Sequence, residues 1–154
     1  NIGRLNLDID PRRGAHLHID VRSFDYKRAY QLLPPFGVMG TITCTSIARS
    51  AWMYFQEDTD ARKTARFDMA VSVLEFYVEM FSWLLDRDAN ICVGIEIPRG
   101  KFETMSVYVR FLELGLKPHF YCHCCERYGC SFEKAGIFLS NTLWPYDTSC
   151  SKCC

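Results

Sequence analysis

The chain has no excess of charge of either sign: 18 Lys plus Arg stand against 18 Asp plus Glu over 154 residues. A protein whose main task is to coat nucleic acid or an anionic membrane needs a global basic field, which is missing here. The halves differ only slightly, with 10 basic and 7 acidic side chains in residues 1–66 and 8 and 11 in residues 67–154. No run of about 18 apolar residues is present to span a bilayer. No stretch reads as a basic start, an apolar core and a small-residue cleavage site, so these residues are expected to hold no secretory leader. The common catalytic signatures are missing as well: there is no Gly-x-Ser-x-Gly elbow, no His-Glu-x2-His and no phosphate-binding Gly-x4-Gly-Lys. No catalytic residue is nominated. A protein partner is expected in place of a membrane or nucleic acid.

Cysteine is the residue in excess. Seven of the nine (Cys122, Cys124, Cys125, Cys130, Cys150, Cys153 and Cys154) fall in the last 33 residues. A secreted disulfide scaffold is normally shorter, with an even and dispersed set, so a reducing compartment, cytoplasmic or nuclear, is expected. Cys122 and Cys125 form one Cys-x2-Cys knuckle, Cys150 and Cys153 another, with 24 residues between them. Two such pairs can close a tetrahedral shell around one structural zinc, each sulfur about 2.3 Å from the ion. His119, Cys124, Cys130 and Cys154 are alternative ligands. The competing reading is that these thiols fill strand positions as small apolar residues. The tail 145–154 is expected to pack on or near the 119–130 loop.

The remaining pattern predicts one α/β (α+β) domain over 1–144, a mixed β-sheet with about three helices, followed by the Cys-rich end. Leu5, Leu7 and Ile9 alternate with polar residues as a strand fragment, and residues 15–21 read as a half-buried strand with His16, His18 and Asp20 on its outer face. His16-Leu17-His18 matches the metal-binding strand of nucleic-acid-nicking enzymes, but no tyrosine here has a lysine three residues on. Ser23 is expected to cap a helix over 24–33 that Pro34-Pro35 ends. Residues 38–47 read as a central strand.

The strongest element is a helix over 62–86. Phe67, Ala70, Val71, Leu74, Val78, Phe81 and Leu85 define a core stripe. Asp68, Ser72, Glu75, Glu79, Ser82 and Asp86 form an acidic stripe, and Met69, Val73, Phe76, Met80 and Trp83 an apolar one roughly opposite the core. Aromatic and Met anchors flanked by charge of one sign suit a partner-binding surface. The nominated residues are Asp68, Glu75, Phe76, Glu79, Met80 and Trp83, and the 69–83 apolar face also offers a homodimer contact. A strand over 89–97 follows, with Glu96 as an outward residue. Next come a helix over 101–114, with Phe102, Met105, Val109 and Leu112 on one side, and strands over 116–125 and 135–144. Gly115 is the natural stop of that helix.

The run Ile91 to Ile97, the turn Pro98-Arg99-Gly100-Lys101, the helix ending Val109-Arg110-Phe111-Leu112-Glu113-Leu114-Gly115, and Leu116-Lys117-Pro118 resemble the C-terminal half of the GNAT-type acetyltransferase fold. That resemblance implies a coenzyme A loop of pattern Gln/Arg-x2-Gly-x-Gly/Ala before the long helix, and no residue before Phe67 supplies it. Leu74-Glu75-Phe76 with Glu79, Leu114-Gly115-Leu116, and Ala135-Gly136-Ile137-Phe138-Leu139 resemble the ornithine decarboxylase antizymes, non-catalytic members of the same architecture. The resemblance covers roughly residues 38–144. It implies a regulator that binds a monomer of the decarboxylase, blocks its active dimer and hands it to the proteasome. The alternatives are a zinc-stabilised accessory or adaptor protein, viral or cellular, and an acyltransferase of GNAT type.

Overall fold

A computed structural model describes residues 5–8, 10, 12, 14–42, 60–123 and 134–142. The chain divides into two compact units, residues 1–35 and 36–154. In the first, β1 (Leu7–Asp8) and β2 (Leu17–His18) pair in parallel, Leu7 opposite Leu17. The expected strand over 15–21 is thus two residues long, because Asp20 caps a 3-10 turn at Val21–Ser23 by accepting the Arg22 amide. The Arg22 guanidinium holds the Asp20 carboxyl below its ordinary range. Helix α1 (Tyr26–Leu32) is capped by Asp25, whose carboxylate accepts the Arg28 N–H at 3.0 Å, not by Ser23. Ser23 is taken up by the preceding turn, so the next oxygen-bearing side chain serves the free amides of the first helical turn.

The second unit carries the main sheet, in order β3 (Gly37–Thr41), β4 (Cys92–Pro98), β6 (Lys134–Ser140), β5 (Lys117–His123). β3 and β4 run parallel, while β6 pairs antiparallel with both β4 and β5. The sheet is therefore mixed, and with α1, α2 (Asp60–Arg87) and α3 (Ser106–Glu113) it makes the expected α+β fold. Among the described residues β3 is an edge strand, whereas its β-branched sequence suggested a central one.

Strand periodicity puts Val93, Ile95, Ile97, Ile137 and Leu139 on one face, and all five are buried. Tyr77 of α2 lies on this face: its ring occupies the place of a Cβ at Gly40, which would fall 2.6 Å from it. Burial pushes the Tyr77 phenol above its ordinary pKa. Leu74, Phe81 and Leu84 of α2 and Val107 and Phe111 of α3 are buried with the face residues, and Phe81, Phe111 and Phe102 form a chain of rings with centroids 6.2 Å apart at each step. Gly115, at φ 83°, ends α3 as expected, since the left-handed region suits a residue without Cβ. No helix among the described residues is long and apolar enough to cross a membrane.

The start of β4 is clamped by one side chain. Asn141 Oδ1 accepts the Val93 N–H at 2.9 Å, and its Nδ2 donates to the Ile91 carbonyl at 2.8 Å. The amide thereby continues the β4–β6 ladder beyond Ser140 and satisfies two backbone groups that burial would otherwise leave unpaired. Asn141→Ala is expected to cost about 1–3 kcal/mol, seen as a lower urea midpoint with an unchanged slope. An unchanged midpoint would show that water replaces the amide at no cost.

Candidate partner-binding surface on the helix layer

Helix α2 is 28 residues long and none of Asp60–Met69 is buried; its core contribution begins at Ala70. From there Ala70, Leu74, Tyr77, Val78, Met80, Phe81 and Leu84 are buried. Tyr77 and Leu84 bridge the angular gap between the two apolar stripes, so the helix carries one broad apolar face and not two opposed ones. Met80 is 4% exposed and belongs to the core, which removes it from the binding set. Phe76 is half-buried, its ring edge-on to Tyr77 at 6.0 Å. Trp83 is half-buried too, with the Arg87 guanidinium 3.8 Å above its ring. Met69 remains open at 57% exposure.

The acidic stripe stands on the outer side of α2. Asp68, Glu79 and Asp86 are exposed and make no ion pair among the described residues. Glu75 differs: half-buried, it pairs with Arg110 of α3 and ties the two helices together. That pair is partly exposed, so its contribution to stability is of the order of 0.2–1 kcal/mol. Its larger effect is to set the two helices side by side.

Helix α3 departs from its sequence pattern. Lys101–Thr104 is a 3-10 turn and Met105 is extended, so the α-helix starts afresh at Ser106. Phe102 is then out of register with the helix, whose buried residues are Val107 and Phe111, one turn apart. Val109 and Leu112, grouped with Phe102 by spacing, are instead 52% and 38% exposed. Val109, Arg110 and Glu113 accordingly lie on the solvent side of α3.

On the sheet face opposite the helices, Glu96 is half-buried and accepts a hydrogen bond from the Tyr121 hydroxyl. The Tyr121 ring lies where a Gly136 Cβ would stand, so glycine on β6 lets the phenol reach across to β4. His119 Nε2 is buried without a hydrogen-bond partner among the described residues. Of the nominated metal ligands, Cys122 lies near the end of β5 in register with Ala135, while Cys124, Cys125, Cys130, Cys150, Cys153 and Cys154 lie outside the described residues. Among the described residues no group of three His, Cys, Asp or Glu side chains is placed to hold a metal. His16 and His18 are exposed, and His16 Nδ1 accepts the Asn6 N–H at 3.0 Å.

No family model, no curated protein and no solved structure matches this chain.

Proposed function

We propose that this chain is a non-enzymatic regulatory protein that works by binding a partner protein, with the outer side of α2 as its contact surface. The observation that carries this reading is the set of exposed carboxylates Asp68, Glu79 and Asp86, without an ion pair among the described residues, beside the 57% exposed Met69. A row of unpaired charge of one sign steers a partner of opposite sign and fixes its orientation. Phe76 and Trp83 flank it as half-buried aromatic residues. Within the resemblance already drawn, the partner is an ornithine decarboxylase monomer and the protein acts as an antizyme-like inhibitor. Support comes from the order strand, long helix, parallel strand, helix and an antiparallel pair with the last strand inside. It comes also from residues 42–60, which contain no glycine with which to cradle a coenzyme pyrophosphate. A mixture with purified ornithine decarboxylase should elute as a one-to-one complex on size-exclusion chromatography; two separate peaks would reject that partner.

A second reading, the zinc-stabilised adaptor of a reducing compartment, draws on His119, three residues before Cys122 and with a buried ring nitrogen that has no hydrogen-bond partner among the described residues. On this reading Cys122, Cys125, Cys150 and Cys153 hold one structural zinc. Protein purified without chelator should carry about one zinc per chain and lose it in Cys122→Ser with Cys153→Ser. A metal-free chain of unchanged stability would dismiss it.

A further inference from the structure

We infer that the docking surface continues from α2 onto α3, and that its occupant is a basic amphipathic segment of another protein, not a second copy of this chain. The inference rests on the partner-binding reading above and adds the site's second helix and the chemistry of what it holds. Val109 and Glu113 stand one turn apart on α3, both exposed, on the side away from buried Val107 and Phe111. Arg110, next to Val109, turns to Glu75, so the outer row of α2 and the outer row of α3 meet across that ion pair. Arg110 is neutralised there by Glu75. Among the described residues Asp68, Glu79 and Asp86 on α2 and Glu113 on α3 have no such partner.

The charge selects the occupant. Two copies joined through this surface would set four unpaired carboxylates against the same four, and like charges brought together across an interface oppose association. A segment with Lys or Arg on either side of a short apolar row reverses every one of those contacts. It also covers Val109, 52% exposed, which otherwise remains in water. The half-buried Glu75–Arg110 pair lies at the junction and keeps the α3 row in position relative to the α2 row.

The test uses the whole chain and a fluorescent synthetic helical peptide with leucines on one face and lysines flanking them; its control has glutamates at the lysine positions. Fluorescence anisotropy should show saturable binding of the lysine peptide only, weakening with salt. Val109→Asn should weaken it about tenfold, the loss expected for one apolar anchor, and Glu113→Lys by a similar factor. Circular dichroism of both variants should match the parent, since both positions are exposed. Equal binding of the two peptides, or no response to either substitution, overturns the inference. So does a chain dimer in sedimentation velocity that Val109→Asn dissociates. Retained decarboxylase binding by Val109→Asn and Glu113→Lys, alongside loss by variants of Asp68 and Glu79, overturns the α3 contribution alone. Lysine-peptide binding that responds to both substitutions, without decarboxylase binding, supports the surface and rejects that enzyme as its partner.

Discussion

Phe111→Ala should lower the stability of the folded chain by about 3–5 kcal/mol, the cost of emptying a closed aromatic site in a packed interior. Phe111 is fully buried and sits between Phe81 of α2 and Phe102 of the 3-10 turn, with centroids 6.2 Å from each. Phe102 in turn stacks edge-on with Tyr108 at 5.2 Å. The ring therefore joins the long helix, the short helix and the turn that resets its register. Three segments lose packing at once, and partial collapse cannot fill the space without moving a helix. Against the roughly 5–15 kcal/mol available to a domain of ordinary stability, this is a large fraction. Guanidinium denaturation should show a much lower midpoint with an unchanged slope. Val109→Ala, two positions away but exposed, should shift stability by no more than about 0.5 kcal/mol. Equal losses at the two positions would mean that α3 packs with a different face inward.

Asp68→Lys with Glu79→Lys should have the opposite profile, leaving stability nearly untouched and weakening partner binding by about tenfold or more. Both carboxylates are exposed and have no ion pair among the described residues, so neither is expected to support the fold. Each reversal removes an attraction to a basic surface and adds a repulsion, and the loss should be smaller at high ionic strength, where exposed charges are screened. Calorimetric titrations at low and moderate salt, with denaturation curves for the same proteins, separate the two properties. Glu75→Lys is a poorer probe. It also breaks the pair with Arg110, so a loss of binding there mixes charge with the displacement of α3.

The long helix was legible in the sequence nearly to its ends, because its apolar spacing repeats over many turns and is interrupted by neither Gly nor Pro. The mixed sheet was legible for the same kind of reason: Val93, Ile95 and Ile97 alternate with residues of the other face, and Gly115 announces the end of α3. Spacing alone failed where the backbone changes conformation within a predicted element. Nothing in Lys101–Glu113 marks Met105 as extended, so spacing groups Val109 and Leu112 with Phe102 although they are exposed, and leaves buried Val107 out of the apolar side. On α2 the acidic row is exposed at Asp68, Glu79 and Asp86 but half-buried at Glu75, and the split into two apolar stripes left out Tyr77 and Leu84. The result misplaced Met80, because a helix set against a broad sheet buries a wider arc than a single stripe. The Tyr121–Glu96 contact had no sequence signal. It joins strands β5 and β4 across β6, and it depends on the missing side chain of Gly136, which only the register reveals.

The proposed mode of action is tested most directly by titrating active ornithine decarboxylase with this chain at low ionic strength, measuring activity and sedimentation on the same samples. Activity should fall in step with added protein while the enzyme dimer gives way to a one-to-one complex. Unchanged activity, with the dimer intact in the presence of excess chain, would contradict it.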